Sequence, residues 1–196
     1  MKNYLFTSLM LLSLWAISGC ASSNGTSTTS SSRIYVASLE ENWGRLEVES
    51  LAWHSDAYLT GVILSIIVDY PRSGQMLINA YYFSVDDPRK MLRISVNESG
   101  DISTEISDLV EHLNDPPILR EDWEIDSMNV LPLLLNNSDV EVLANNPDTQ
   151  CSNLTLDKRR TTIEHTTVWR LLVHDCGASG YIRNGYINAL NGEQLK

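Results

Sequence analysis

The chain has 196 residues, of which 43% are hydrophobic and 20% charged. That is the composition of a folded protein able to bury one ordinary core or two small ones. With a formal charge of −11 and its densest basic run at Lys158-Arg159-Arg160, it lacks the clustered cations that phosphate binding needs, so no nucleic acid partner is expected.

At the N-terminus, Lys2 precedes an apolar stretch, Leu5 to Ile17, that is too short for a membrane span and reads as an export signal. Ile17-Ser18-Gly19-Cys20 then closes it and resembles a bacterial lipobox. The resemblance implies that residues 1–19 are a lipoprotein signal peptide and that Cys20 becomes the lipidated first residue. Ala21 rather than Asp follows Cys20, which in a Gram-negative source favours the outer membrane, facing the periplasm. The rival reading is an ordinary cleaved signal with an incidental Cys. Residues 20–32, rich in Ser, Thr, Asn and Gly, are expected to form a flexible tether with a root-mean-square span of about 20 Å.

With Cys20 lipidated, Cys151 and Cys176 remain as a single pair in an oxidising compartment, and a disulfide is expected. It would contribute about 3 kcal/mol in the chain-entropy model. Two free thiols or a metal site are the alternatives; no CxxC occurs, and His54, His112, His165 and His174 are scattered. Neither a metal nor a cofactor is expected.

The folded part begins near Arg33. Ser38, with Glu41 three residues on, is the signature of a capping box, and Leu39, Trp43, Leu46 and Trp53 recur on one face of the helix it opens. Tyr58 to Val68 is β-branched and reads as a buried strand. After the turn Tyr70-Pro71-Arg72-Ser73-Gly74, Met76 to Val85 and Met91 to Val96 read as two further strands joined at Asp86-Asp87-Pro88-Arg89. Ile106, Leu109, Val110 and Leu113 predict a short amphipathic helix stopped by Pro116-Pro117, the natural boundary between two halves. Asp126 or Ser127 is the expected cap of the next helix, which Pro132 must either kink or force to restart. Cys151 to Leu156, Glu164 to Asp175 and Tyr186 to Ala189 read as strands, with Asn184-Gly185 a possible hairpin turn.

An echo runs through this order. Ala80 to Asp86 followed by Leu92 to Asp101 matches Thr167 to Asp175 followed by Tyr186 to Glu193, each an aromatic-led strand and an aliphatic strand that ends in Asn and Gly. A helix, three antiparallel strands and the ending Tyr186-Ile187-Asn188-Ala189-Leu190-Asn191-Gly192-Glu193 resemble the PepSY-like superfamily of small α+β modules. Trp123-Glu124-Ile125-Asp126-Ser127 looks like that module's helix entry, and Trp169 like the aromatic of its middle strand. Trp53 to Leu59 is similar to the helix-to-strand junction of a first copy. That copy ends in Asn97-Glu98-Ser99-Gly100, one residue shorter and without the Ala. The resemblance implies an α+β fold of two repeats, residues 33–115 and 116–196, each a helix on a three-stranded or slightly larger antiparallel sheet, the second holding the disulfide. It also implies little catalysis, because such modules are mostly non-catalytic; some are proposed to hold proteases in check or to act as binding domains, and many have no assigned role.

No Gly-x-Ser-x-Gly, His-Glu-x-x-His or phosphate-cradling loop is present. The expected role is therefore a non-catalytic envelope module, regulatory or binding, for an envelope protein or peptide. A structural accessory of an outer-membrane complex is the alternative, and a hydrolase stands behind both. A helix-on-sheet layer covers one sheet face. Alternation places Tyr81, Phe83 and Val85 on one side of their strand and Tyr82 and Ser84 on the other, and the side of Tyr82 and Ser84 is the expected binding face.

Overall fold

Ser38 starts helix α1 (Leu39–Trp53) as expected: its side chain accepts the Glu41 N–H at 3.0 Å. Leu39 and Leu46 are fully buried, and Trp43 and Trp53 pack at the edge of the same core. The computed structural model describes residues 33–109, 116–145, 152–160, 165–174 and 182–195, without the side chains of 159, 160, 165 and 182. The lipobox, the tether, His112 and the Cys151–Cys176 pair lie outside the described residues.

The expected strand from Tyr58 to Val68 is two strands. β2 (Tyr58–Ser65) joins a large sheet, while β3 (Ile67–Val68) leaves it to pair with β1 (Ile34–Tyr35). The switch is held where Asp69, at φ 64°, donates its N–H to Arg33 O at 2.7 Å. β4 (Met76–Phe83) and β5 (Lys90–Asn97) follow the reading closely. The segment after them does not. Ile102–Asp108 is a strand, β6, so Ile106 does not open an amphipathic helix, and Val110 and Leu113 of that expected helix lie outside the described residues. Ile102, Thr104 and Ile106 alternate with Ser103, Glu105 and Ser107, so a period of two prevails over the three-to-four spacing of Ile106, Leu109 and Val110.

In the second half, a single 3-10 turn (Arg120–Asp122) leads to α2 (Ser127–Leu134) and α3 (Asn137–Asn145). Pro132 lies inside α2, and the helix ends two residues beyond it. It then restarts behind a reciprocal cap in which Asn136 accepts the Asp139 N–H and Asp139 accepts the Asn136 N–H, both at 2.9 Å. β7 (Asn153–Arg160), β8 (His165–His174) and β9 (Ile182–Asn188) complete the chain. Asn184-Gly185 lies within β9, opposite Leu172 and Leu171, and is not a hairpin turn. The glycine serves close approach instead: a Cβ there would stand 3.2 Å from Leu134 Cδ2 of α2.

One antiparallel sheet of seven strands, in the order β6-β5-β4-β2-β7-β8-β9, unites both halves through the β2–β7 pair. The first half runs α1 and then four strands of this sheet, the second α2, α3 and then three, and the first sheet strand of each half meets the other's through that pair. Asn97 and Asn188 end β5 and β9 with the same turn. Asn97 Oδ1 accepts the Ser99 N–H at 3.0 Å, and Asn188 Oδ1 accepts the Leu190 N–H at 2.8 Å. Gly100 (φ 81°) and Gly192 (φ 74°) take the left-handed position and return their N–H to the Asn carbonyl, one residue later in the second turn.

The registers place Ile94, Ala80, Val62, Leu156, Trp169 and Ile187 in one row across the sheet, all buried. Leu39 and Leu46 of α1, Val130, Leu131 and Leu134 of α2 and Leu143 of α3 belong to the same core cluster, so the helices share that face. The two halves therefore have one core. Among the described residues no helix is long and apolar enough to cross a membrane.

Candidate functional site

The opposite face of the sheet carries a different row: Ser95, Asn79, Ile63, Thr155, Arg170 and Tyr186 lie side by side across six strands. None of them belongs to the helix-side core. The adjacent row runs through Arg93, Tyr81, Gly61 and Asp157. Gly61 has no side chain to raise above the sheet, and β2 and β4 are out of step by one residue at Thr60, so the surface dips there. The result is a groove of about 330 Å³, with Gly61 and Ile63 as floor, Tyr81, Phe83 and Met91 as an apolar wall and Arg170 at its polar end. That volume falls at the low end of the roughly 300–1,000 Å³ typical of ligand sites.

The polar end is held in place. Arg170 donates from Nε and from a terminal guanidinium nitrogen to Asn184 Oδ1 at 3.2 and 3.0 Å, and its guanidinium lies 5.9 Å from the Tyr186 ring centroid. Thr155 Oγ1 donates to Asp157 Oδ2 at 3.4 Å. The ionisable side chains lining the groove are Tyr81, Asp157 and Arg170. A mostly apolar floor with one fixed cation suits recognition of a peptide-like group more than proton transfer.

The expected binding face, the side of β4 with Tyr82 and Ser84, lies under the helices. Tyr82 is 4% exposed and Ser84 2%, because the row of Ile78, Ala80 and Tyr82 turns toward the helices. Strand alternation is as read, but Tyr82 can be buried because its hydroxyl shares a hydrogen bond with Ser50 of α1. Ser84 donates to Asp56 Oδ1 at 2.6 Å. The partly exposed aromatic of the strand is Tyr81, on the other side. A second cavity, of about 240 Å³, opens on the helix side, where Tyr82 and Trp43 line it with Ile118 and Arg120.

Burial, with the Glu47 carboxylate nearby, pushes the Tyr82 phenol well above its ordinary value of 10.0. The unfolded chain releases this proton near pH 10 and the folded chain holds it. The stability that Tyr82 contributes is therefore complete below about pH 10 and falls as the pH rises above it, by up to about 1.4 kcal/mol per pH unit. Urea melts on either side of pH 10 should show this alkaline limb, and Tyr82→Phe should flatten it. An unchanged slope would refute the assignment.

A second grouping was missed from sequence because Asp86 comes from a distant turn. His54, Asp56 and Asp86 offer ligand atoms within 4.8 Å of one another. The Asp56 carboxylate is already engaged, however. It accepts from Ser84 Oγ and from the N–H groups of Val85 at 2.8 Å and Asp86 at 3.0 Å. The Ser84 hydrogen bond leads in holding its pKa below the ordinary value, against an opposing effect of desolvation and with the backbone N–H groups adding to it. Its role in this geometry is to anchor the turn after β4.

Comparisons with protein-family models, with curated proteins and with solved structures return no match for this chain.

Proposed function

We propose that this chain is a non-catalytic lipoprotein of the cell envelope, anchored through Cys20, that binds another envelope protein or peptide on the open face of its sheet. Its two halves are read as PepSY-like repeats fused edge to edge. The observation that carries the binding reading is the asymmetry of the sheet: one face lies under the helices, while the other presents a groove over Gly61 and Ile63 flanked by Tyr81 and Arg170. The paired turns at Asn97 and Asn188 support the repeat reading. Leu5 to Ile17 followed by Cys20 supports the anchor.

The test is cross-linking in intact cells followed by affinity recovery of the lipidated protein and mass spectrometry. Tyr81→Ala and Arg170→Glu should each lower recovery of the principal partner by about tenfold, the loss of roughly 1.4 kcal/mol of binding. Val48→Asp, at a position 66% exposed on α1, should leave recovery unchanged. Equal recovery from all three variants would refute a site on this face, provided that each melts within a few degrees of the parent.

A further inference from the structure

The sheet has two outer strands, and the fold treats them differently. At β9 the chain turns back after Gly192 and closes the last part of the edge itself, from Tyr186 to Asn188. Leu195 N–H donates to Tyr186 O at 3.0 Å, Asn188 N–H donates to Glu193 O at 2.8 Å, and Gln194 bridges to Ile187. At β6, no strand among the described residues lies on the outer side. β6 pairs with β5 over seven consecutive residues without a shift in register. Its free edge is therefore straight and runs for about 20 Å at roughly 3.3 Å per residue.

Natural sheets usually guard such an edge with proline, a bulge, a lysine or an unpaired charge. The β6 sequence, Ile102-Ser103-Thr104-Glu105-Ile106-Ser107-Asp108, contains neither proline nor lysine, and its ladder has no bulge. Its central charge, Glu105, is drawn back over the sheet into an ion pair with Arg93 of the inner neighbour. On the helix side, Ile102 lies opposite Val96 and Ile106 opposite Leu92, so the core rows continue one strand outward. Leu92 and Val96 are buried there, whereas Ile106 is 53% exposed. Among the described residues, no further strand continues that row beyond β6.

We propose that β6 is a docking edge that takes an extended segment of another polypeptide as an eighth strand. This proposal rests on the binding reading above and names the kind of partner. Main-chain hydrogen bonds along β6 would supply the affinity, and alternate apolar side chains of the guest would cover Ile102 and Ile106. The side chains between them would be neutral or basic, because the host carries a net −11 with Glu105 and Asp108 on the strand itself. The same charges disfavour a second copy of this chain: antiparallel self-pairing centred on Glu105 sets the two Glu105 side chains against each other.

The test uses the full chain and three synthetic heptapeptides: one alternating valine and lysine, one with two of its valines replaced by proline, and one alternating valine and glutamate. Hydrogen exchange is followed at single amides. The valine–lysine peptide should slow the outward amides of residues 102–108 by about tenfold or more and leave β9 unchanged. The proline peptide should have no effect, and the valine–glutamate peptide should be weaker at low salt. Protection absent from β6, or equal protection by the proline peptide, would overturn the proposal.

Ser103→Pro and Thr104→Pro add a second readout, because neighbouring amides on a strand point to opposite edges. The variant that keeps the parent melting temperature should lose the β6 protection, and retention of that protection in both would overturn the proposal. Protection of residues around Tyr81 and Arg170 alone would remove the edge and leave the groove standing. An edge that binds while the groove variants have no effect would leave β6 as the docking surface without the groove.

Discussion

Trp123→Ala is expected to destabilise the protein by about 3–5 kcal/mol, the usual range for deleting a fully buried large aromatic. Trp123 has no exposed surface and stands between two other indoles: Trp43 of α1 at 5.5 Å and Trp169 of β8 at 6.4 Å between ring centroids, both edge to face. The Arg120 guanidinium lies 4.0 Å from its ring centroid. This ladder joins the helix of the first half to the middle strand of the second, so the cavity would open between the halves. A domain of this kind has roughly 5–15 kcal/mol in total, so the loss should move a urea midpoint far toward zero denaturant.

Trp123→Phe separates shape from polarity. Among the described residues the indole N–H of Trp123 meets no hydrogen-bond partner, whereas that of Trp169 donates to Ile125 O at 2.7 Å. Phe loses volume but also removes an unsatisfied buried donor, which itself costs about 1–3 kcal/mol, so its net effect should be far smaller than that of Ala. Trp169→Phe deserts the Ile125 carbonyl and should be the more damaging of the two Phe variants. Equal midpoints for Trp123→Phe and Trp123→Ala would refute this account of the ladder.

What was legible in the sequence followed from local rules. The Ser38 cap, the strands at Met76 and Met91 and the Asn-Gly endings each depend on residues within a few positions of one another. The errors share another cause, because they turn on which side a neighbour arrives from. Alternation in β4 is plain, but only the approach of α1, with Ser50 ready for the Tyr82 hydroxyl, decides that Tyr82 goes inward and Tyr81 outward. Gly185 looks like a turn residue until Leu134 is seen against it. The groove depends on Gly61 standing between Tyr81 and Asp157, which come from strands more than 70 residues apart in the chain and are adjacent only through the register. Two modules read separately also hide the continuous sheet, because the β2–β7 pairing leaves no local trace.

Asp126→Ala should be nearly as damaging as the loss of Trp123, at about 2–4 kcal/mol, because one carboxylate caps two helices. Its Oδ1 accepts the Glu40 N–H of α1 at 2.8 Å, while its Oδ2 faces the Met128 N–H of α2, which it precedes as N-cap, at 3.4 Å. The residue is 7% exposed, so water does not readily replace it. Ser127 beside it accepts the Leu39 N–H at 2.9 Å and donates to Ala37 O at 2.6 Å. Together with Ser38, the two residues satisfy the first three N–H groups of α1, two of them from a segment more than 80 residues away. Two helix N-termini meeting here bring two partial positive charges together, and a carboxylate between them offsets that repulsion. Asp126→Asn keeps an acceptor for one helix but turns an amide N–H toward the other, so it should fall between the parent and Ala. Because Asp126 and Ser127 serve the same helix end, the double Ala variant should lose less than the sum of the single losses. Strict additivity in urea melts would mean that the two residues act separately, and a loss below about 1 kcal/mol for Asp126→Ala would mean that only one helix depends on it.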